Sequence, residues 1–170
     1  GVPRLLPLED GRQTMPSVLF FSFEDNLVHF GRQAVAEYVT GGEGRLMRSL
    51  KSVLGTSLIG DTTRVKGRGY DFIEILGIFI AELKRRAETD LHAPVENVVV
   101  GRPVHFVDDD MEADRAAEAQ LEDAVRKQGF QNIDFQYEPI AAALDYERQV
   151  TAERLALIVD LGGGTSDFSV

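Results

Sequence analysis

The sequence contains no cysteine. Disulfides, thiolate metal sites and cysteine nucleophiles are therefore excluded, and the absence favours a cytoplasmic address. Basic residues are also short. Eighteen Lys and Arg stand against 28 Asp and Glu, a net charge of −10 over 170 residues. Phosphate-rich nucleic acid and anionic membrane surfaces are normally met by a basic face, so neither is expected as a partner. Long apolar runs are missing too. Ile75 to Ala81 is the longest, far below the ~20 residues that span a bilayer, and the first residues carry no signal-peptide core. The phosphate loop Gly-x-x-x-x-Gly-Lys-[Ser/Thr] and the dinucleotide fingerprint Gly-x-Gly-x-x-Gly do not occur, nor does any internal repeat.

What is present is an ordinary globular composition, 44% hydrophobic and 27% charged, with patterning that changes along the chain. Glu9-Asp10-Gly11-Arg12 signals a turn. Ser17 to Phe23 reads as a strand, and Leu27 to Phe30 as a shorter one pairing back on it. Gln33 to Tyr38 is expected to form a short helix. Arg45 to Leu54 is expected to form another, capped by Gly55, with Arg45, Arg48 and Lys51 along one face. Thr62 to Tyr70 reads as a strand or hairpin.

Asp71 with Glu74 three residues on has the shape of a capping box, and a 3.6-residue apolar period follows to Ala87. A second amphipathic helix is expected after Asp108-Asp109-Asp110, stopping at Gly129. Val98 to Val100, Ile133 to Tyr137 and Leu155 to Val159 read as strands, and Pro139 opens a helix from Ile140 to Glu147. Strands alternating with amphipathic helices imply parallel crossovers, so the fold class is α/β.

The chemistry concentrates at Asp160-Leu161-Gly162-Gly163-Gly164-Thr165-Ser166-Asp167. Three glycines after an apolar strand allow positive φ and close approach of a ligand, and their amides can hold phosphate oxygens. Thr165 adds a donor, and the flanking carboxylates could hold a hydrated Mg2+ against the phosphates. A glycine-rich hairpin with capping aspartates reads from the same residues. Lys51 taken alone reads as a solvated lysine, and Glu138 as a helix cap before proline. His29, His92 and His105 show no metal-ligand spacing and read as structural.

Asp160 to Asp167 resembles the second phosphate motif of the actin-like ATPase superfamily. Tyr137-Glu138-Pro139-Ile140-Ala141-Ala142-Ala143-Leu144 resembles the Glu-Pro-x-Ala-Ala-Ala segment of DnaK-type heat-shock chaperones. Thr14-Met15-Pro16-Ser17-Val18, Leu50 to Gly55 and Val99 to Phe106 resemble further segments of those chaperones, in the same order. The Gly101-Arg102-Pro103 and Phe135 to Pro139 variants look most like divergent bacterial relatives. Arg102 departs from the small apolar residue usual in the family and receives no role.

The resemblance implies an actin-like, ribonuclease H-like ATPase lobe: a mixed sheet flanked by helices, with a small α+β insertion. Residues 1–16 and 72–170 would form the core subdomain of the first nucleotide-binding lobe and 17–71 the insertion. Lys51 would sit near the γ-phosphate, Glu138 and Asp160 would act in catalysis and hold Mg2+ through water, and Gly162, Gly163, Gly164, Thr165 and Asp167 would line the phosphate loop. ATP or ADP with Mg2+ are the implied cofactors. Implied partners are the remaining lobe of the same chain and, beyond it, unfolded clients or co-chaperones. The family's first phosphate loop would precede Gly1 and its second lobe would follow Val170, so the chain is expected to be a fragment that does not hydrolyse ATP alone. A bacterial actin-like filament protein, a sugar kinase and a non-hydrolysing scaffold share parts of this pattern.

Overall fold

The computed structural model describes residues 4–56, 59, 61–147, 157–161 and 166–169, with 160–161 and 166–169 as backbone. The chain enters through a tight turn in which Glu9 bridges Arg12, with Asp10 and Gly11 both at positive φ. Strand β1 (Val18–Ser22) then lies between β2 (Val28–Phe30) and β3 (Gly44–Arg48), antiparallel to both. Helix α1 (Gly31–Val39) follows β2 directly. At its start the Glu9 carboxylate, arriving from the entry turn, accepts from the Arg32 amide at 2.9 Å and pairs with its guanidinium at 2.7 Å. That contact places an anion at the positive end of the helix dipole.

The helix expected over Arg45 to Leu54 does not form. Residues 44–48 add to the free edge of β1 in the register Val18↔Arg48 to Ser22↔Gly44, which buries Met47 opposite Leu19. A ten-residue helix is marginal by itself, whereas pairing satisfies both backbones at once. Gly44 suits the edge, since a Cβ there would lie 2.3 Å from the Phe20 ring and 2.4 Å from the Phe21 carbonyl oxygen. Arg45 and Arg48, three apart in a strand, project to opposite faces, so the basic stripe does not exist. Ser49 then takes a left-handed conformation (φ 54°), and Leu50–Val53 form one 3-10 turn.

A hairpin of β4 (Thr62–Val65) and β5 (Arg68–Asp71) leads into α2 (Phe72–Leu91). Asp71 caps α2, its carboxylate accepting from the Glu74 amide at 2.6 Å. Glu74 does not return the bond; its carboxylate pairs with Arg68 instead. Strand β6 (Asn97–Arg102), helix α3 (Met111–Arg126) and strand β7 (Asn132–Tyr137) make the crossover unit, and β6 and β7 pair in parallel from Asn97↔Asn132 to Arg102↔Tyr137. Asp110 caps α3 through the amides of Glu112 and Ala113. Helix α4 (Glu138–Glu147) begins where β7 ends, with Pro139 buried in its first turn. Strands β8 (Ile158–Leu161) and β9 (Ser166–Ser169) form an antiparallel hairpin in which Asp160 is level with Asp167.

One apolar core joins these parts. Leu19 and Phe21 of β1, Leu50 and Leu54 of the 3-10 segment, Ile75, Leu76 and Phe79 of α2, and Ala117, Leu121, Ala124 and Val125 of α3 belong to one buried cluster. Among the described residues no helix is long and apolar enough to cross a membrane.

Candidate functional site

The segment that carries Lys51 is held from both sides. Leu50 and Leu54 are sunk in the core, at 4% and 1% exposure, so the intervening turn is fixed and Lys51 is directed outward. The Ser52 hydroxyl donates to the Ser49 carbonyl at 2.7 Å and closes the turn. Behind it, Gly55 sits at φ 72° against α3, where a Cβ would lie 2.6 Å from Val107. Only a glycine meets both the angle and the space.

The Lys51 ammonium reaches across to the crossover unit. It donates to Glu138 Oε1 at 2.6 Å and to the Gly101 carbonyl at 2.7 Å. Both acceptors lie at the carboxyl ends of the parallel strands: Gly101 one residue before the end of β6, Glu138 one residue past β7. In α/β folds that edge is where ligand crevices open. Glu138 is also the first residue of α4, where a carboxylate is favoured by the helix dipole. Gly101 has no Cβ to keep the Glu138 side chain away; one added there would stand 3.2 Å from Glu138 Cγ.

The pair stands at the rim of a cleft of about 760 Å3. Its floor is apolar, built from α2, α3 and β6, and its polar lining comprises Ser17, Arg48, Ser49, Lys51, Ser52 and Glu138. A cation, a carboxylate and hydroxyls beside an apolar hollow are the makings of a site for a polar, anionic group carried on a larger body.

Next to the pair lies a group with no assigned role. Arg102 is 8% exposed and its guanidinium spends its donors inside the protein. Nε donates to the Pro103 carbonyl at 3.1 Å, and Nη2 to Asp114 at 2.8 Å and the Val104 carbonyl at 3.3 Å; Nη1 bonds Glu118. The guanidinium also lies 4.9 Å from the Phe106 ring centre and 5.4 Å from that of Tyr137. Burial works to lower the Arg102 pKa, but the two carboxylates outweigh it and raise the pKa above the ordinary value. Burial would likewise raise Asp114, but bonds from Arg102 and the Phe106 amide hold its carboxyl below the usual range. A sequence signal existed: a charged residue ending an apolar strand, with two carboxylates four apart on the next helix.

The remaining sequence-derived candidates distribute as follows. Asp160 is the penultimate residue of β8 and Asp167 lies opposite it in β9. Gly162, Gly163, Gly164 and Thr165 lie outside the described residues. His29 bonds Asp25 at 3.0 Å, and His92 follows the end of α2, bonded to the Thr89 carbonyl. Among the described residues no group of three His, Asp or Glu side chains could by itself hold a metal ion.

Residues 58–170 match the family model described as Hsp70 protein, a span that includes β6, β7, Glu138 and the Asp160 to Asp167 segment. Lys51 falls before that span and joins it through its bonds to Gly101 and Glu138. The mixed α/β architecture agrees with the actin-like ATPase fold of the same family. With well over half of its length matched, this chain belongs to the Hsp70 family.

Proposed function

We propose that the rim carrying Lys51 and Glu138 is the phosphate end of an ATP site, and that the longer protein to which this chain belongs is a DnaK-like ATPase of chaperone type. The observation that carries the reading is the Lys51–Glu138 ion pair, closed at 2.6 Å between residues 87 apart at the carboxyl edge of a parallel strand pair. Family membership supports nucleotide binding in general.

In this reading Lys51 stabilises negative charge developing on the transferred phosphoryl group, as a preorganised cation does without reorganisation cost. Glu138 orients the attacking water, and Asp160 takes part in accepting its proton. Gly162, Gly163, Gly164 and Thr165 present amides and a hydroxyl to the β- and γ-phosphates, with Asp167 alongside. The donor set suits a hydrated Mg2+ rather than a closed protein cage. Glu138 is one carboxylate at an open rim, and Mg2+ commonly keeps its waters while sharing carboxylates with phosphates. The chemistry such an ion supplies is neutralisation of the phosphate oxygens; Glu138 and Asp160 would hold it through water.

At finer grain we place the protein in a divergent bacterial branch, acting in the cytoplasm. Residues 1–16 and 72–170 would form the core subdomain of the first lobe and 17–71 the inserted one. The second lobe of the same chain would complete the cleft, and unfolded clients or co-chaperones would be its protein partners. Calorimetric titration of the full-length protein with ATP and ADP, with Mg2+ and with EDTA, tests the site. Saturable binding that weakens with EDTA and in Glu138→Gln is expected; no heat from either nucleotide refutes the reading.

A further inference from the structure

We infer that Arg102 is the positioning residue of this site: it clamps the ends of β6 and β7 to helix α3 and so fixes both acceptors on which Lys51 rests. The inference deepens the ATP-site reading and rests on it for its catalytic consequence.

The geometry is continuous. Arg102 follows Gly101, whose carbonyl is one Lys51 acceptor, and is level with Tyr137, which precedes Glu138, the other. Its guanidinium packs near the Tyr137 ring on one strand end and bonds Asp114 and Glu118 on α3. It also gathers the Pro103 and Val104 carbonyls, so the chain leaving β6 folds back over it. Four acceptors and two rings around one planar fork leave it little freedom. Arg suits this task because its five N–H donors point in fixed directions, which the single ammonium of a lysine cannot copy. Strand ends otherwise fray. Here the last register pair of the parallel ladder, Arg102↔Tyr137, is held by the guanidinium against the ring, and the functional atoms flank it by one residue on each side.

A positioning role predicts an effect that loss of stability alone does not. In full-length protein labelled with 15N-lysine, the Lys51 ammonium, bonded twice, gives an exchange-protected signal identified by its loss in Lys51→Arg. Arg102→Met is expected to abolish that protection while the signals of other bonded lysines persist. Hydrolysis in single turnover should fall about ten-fold with nucleotide affinity within two-fold, since displacement of about 1 Å is enough to cost that much or more. Glu118→Gln alters a half-exposed carboxylate and keeps Arg102. It should speed Lys51 exchange several-fold, and it decides the matter alone if Arg102→Met does not fold. An unchanged Lys51 signal in the folded variants overturns the inference. Should the wild-type protein bind no nucleotide, the ATP reading fails while the Lys51 signal still decides whether Arg102 holds the pair.

Discussion

Replacing Lys51 with methionine separates what the ammonium does for the fold from what it does for chemistry. The stem keeps its length and apolar packing, and only the charge and its two bonds are lost. The Lys51 and Glu138 side chains are 43% and 28% exposed, so water screens the pair and can take over the freed acceptors. An ion pair of that kind is worth about 0.5–1 kcal/mol. For a domain of this size that is a fall in Tm of about 1–4 °C. On phosphoryl transfer the same atom counts for far more, because removing one preorganised donor from a developing anion costs about 2.7–4 kcal/mol, or 100- to 1,000-fold in rate. Thermal melts and single-turnover hydrolysis of the full-length protein give the two numbers side by side. A rate within ten-fold of wild type at saturating ATP would refute the assignment of Lys51. A fall in Tm beyond about 8 °C would instead show that the lysine is chiefly a structural tie.

Two other outcomes follow from the same structure. Asp114 is held below the ordinary carboxylate range in the folded protein, so its contribution is complete above the unfolded value of about 3.9 and is lost as pH falls through the lower folded value. Asp114→Asn should therefore melt below wild type at neutral pH, the two melting curves converging toward about pH 2; a gap that stays constant down to that pH contradicts the linkage. Leu54→Ala empties a site that is 1% exposed and should cost about 3 kcal/mol in denaturant titrations. Because Leu54 anchors the turn bearing Lys51, the folded fraction of the full-length variant should also hydrolyse ATP more slowly, and normal turnover per folded molecule would show that the anchor does not reach the site.

Much of this fold could be read from local pattern. The apolar period of α2, its Asp71 cap, the acidic start of α3 and the crossover between two apolar strands are all stated by residues close in sequence. Segment 44–54 could not be read that way. Its fate was decided by β1, whose free edge offered hydrogen bonds and a seat for Met47, and no short window contains that offer. The site divides along the same line. Glu138 stands out beside Pro139, and Arg102 with Asp114 and Glu118 leaves a local signal, but the Gly101 carbonyl enters only through a contact with Lys51, 50 residues earlier, which side-chain type alone does not announce.

The order of Lys51 and Glu138 along the chain has a consequence for synthesis. The ammonium leaves the peptidyl-transfer centre 87 residues before the carboxylate that receives it. At about 5–20 residues per second, the lysine waits roughly 4–17 s for that partner. The rim can therefore close only once the whole crossover unit between the two residues has been made.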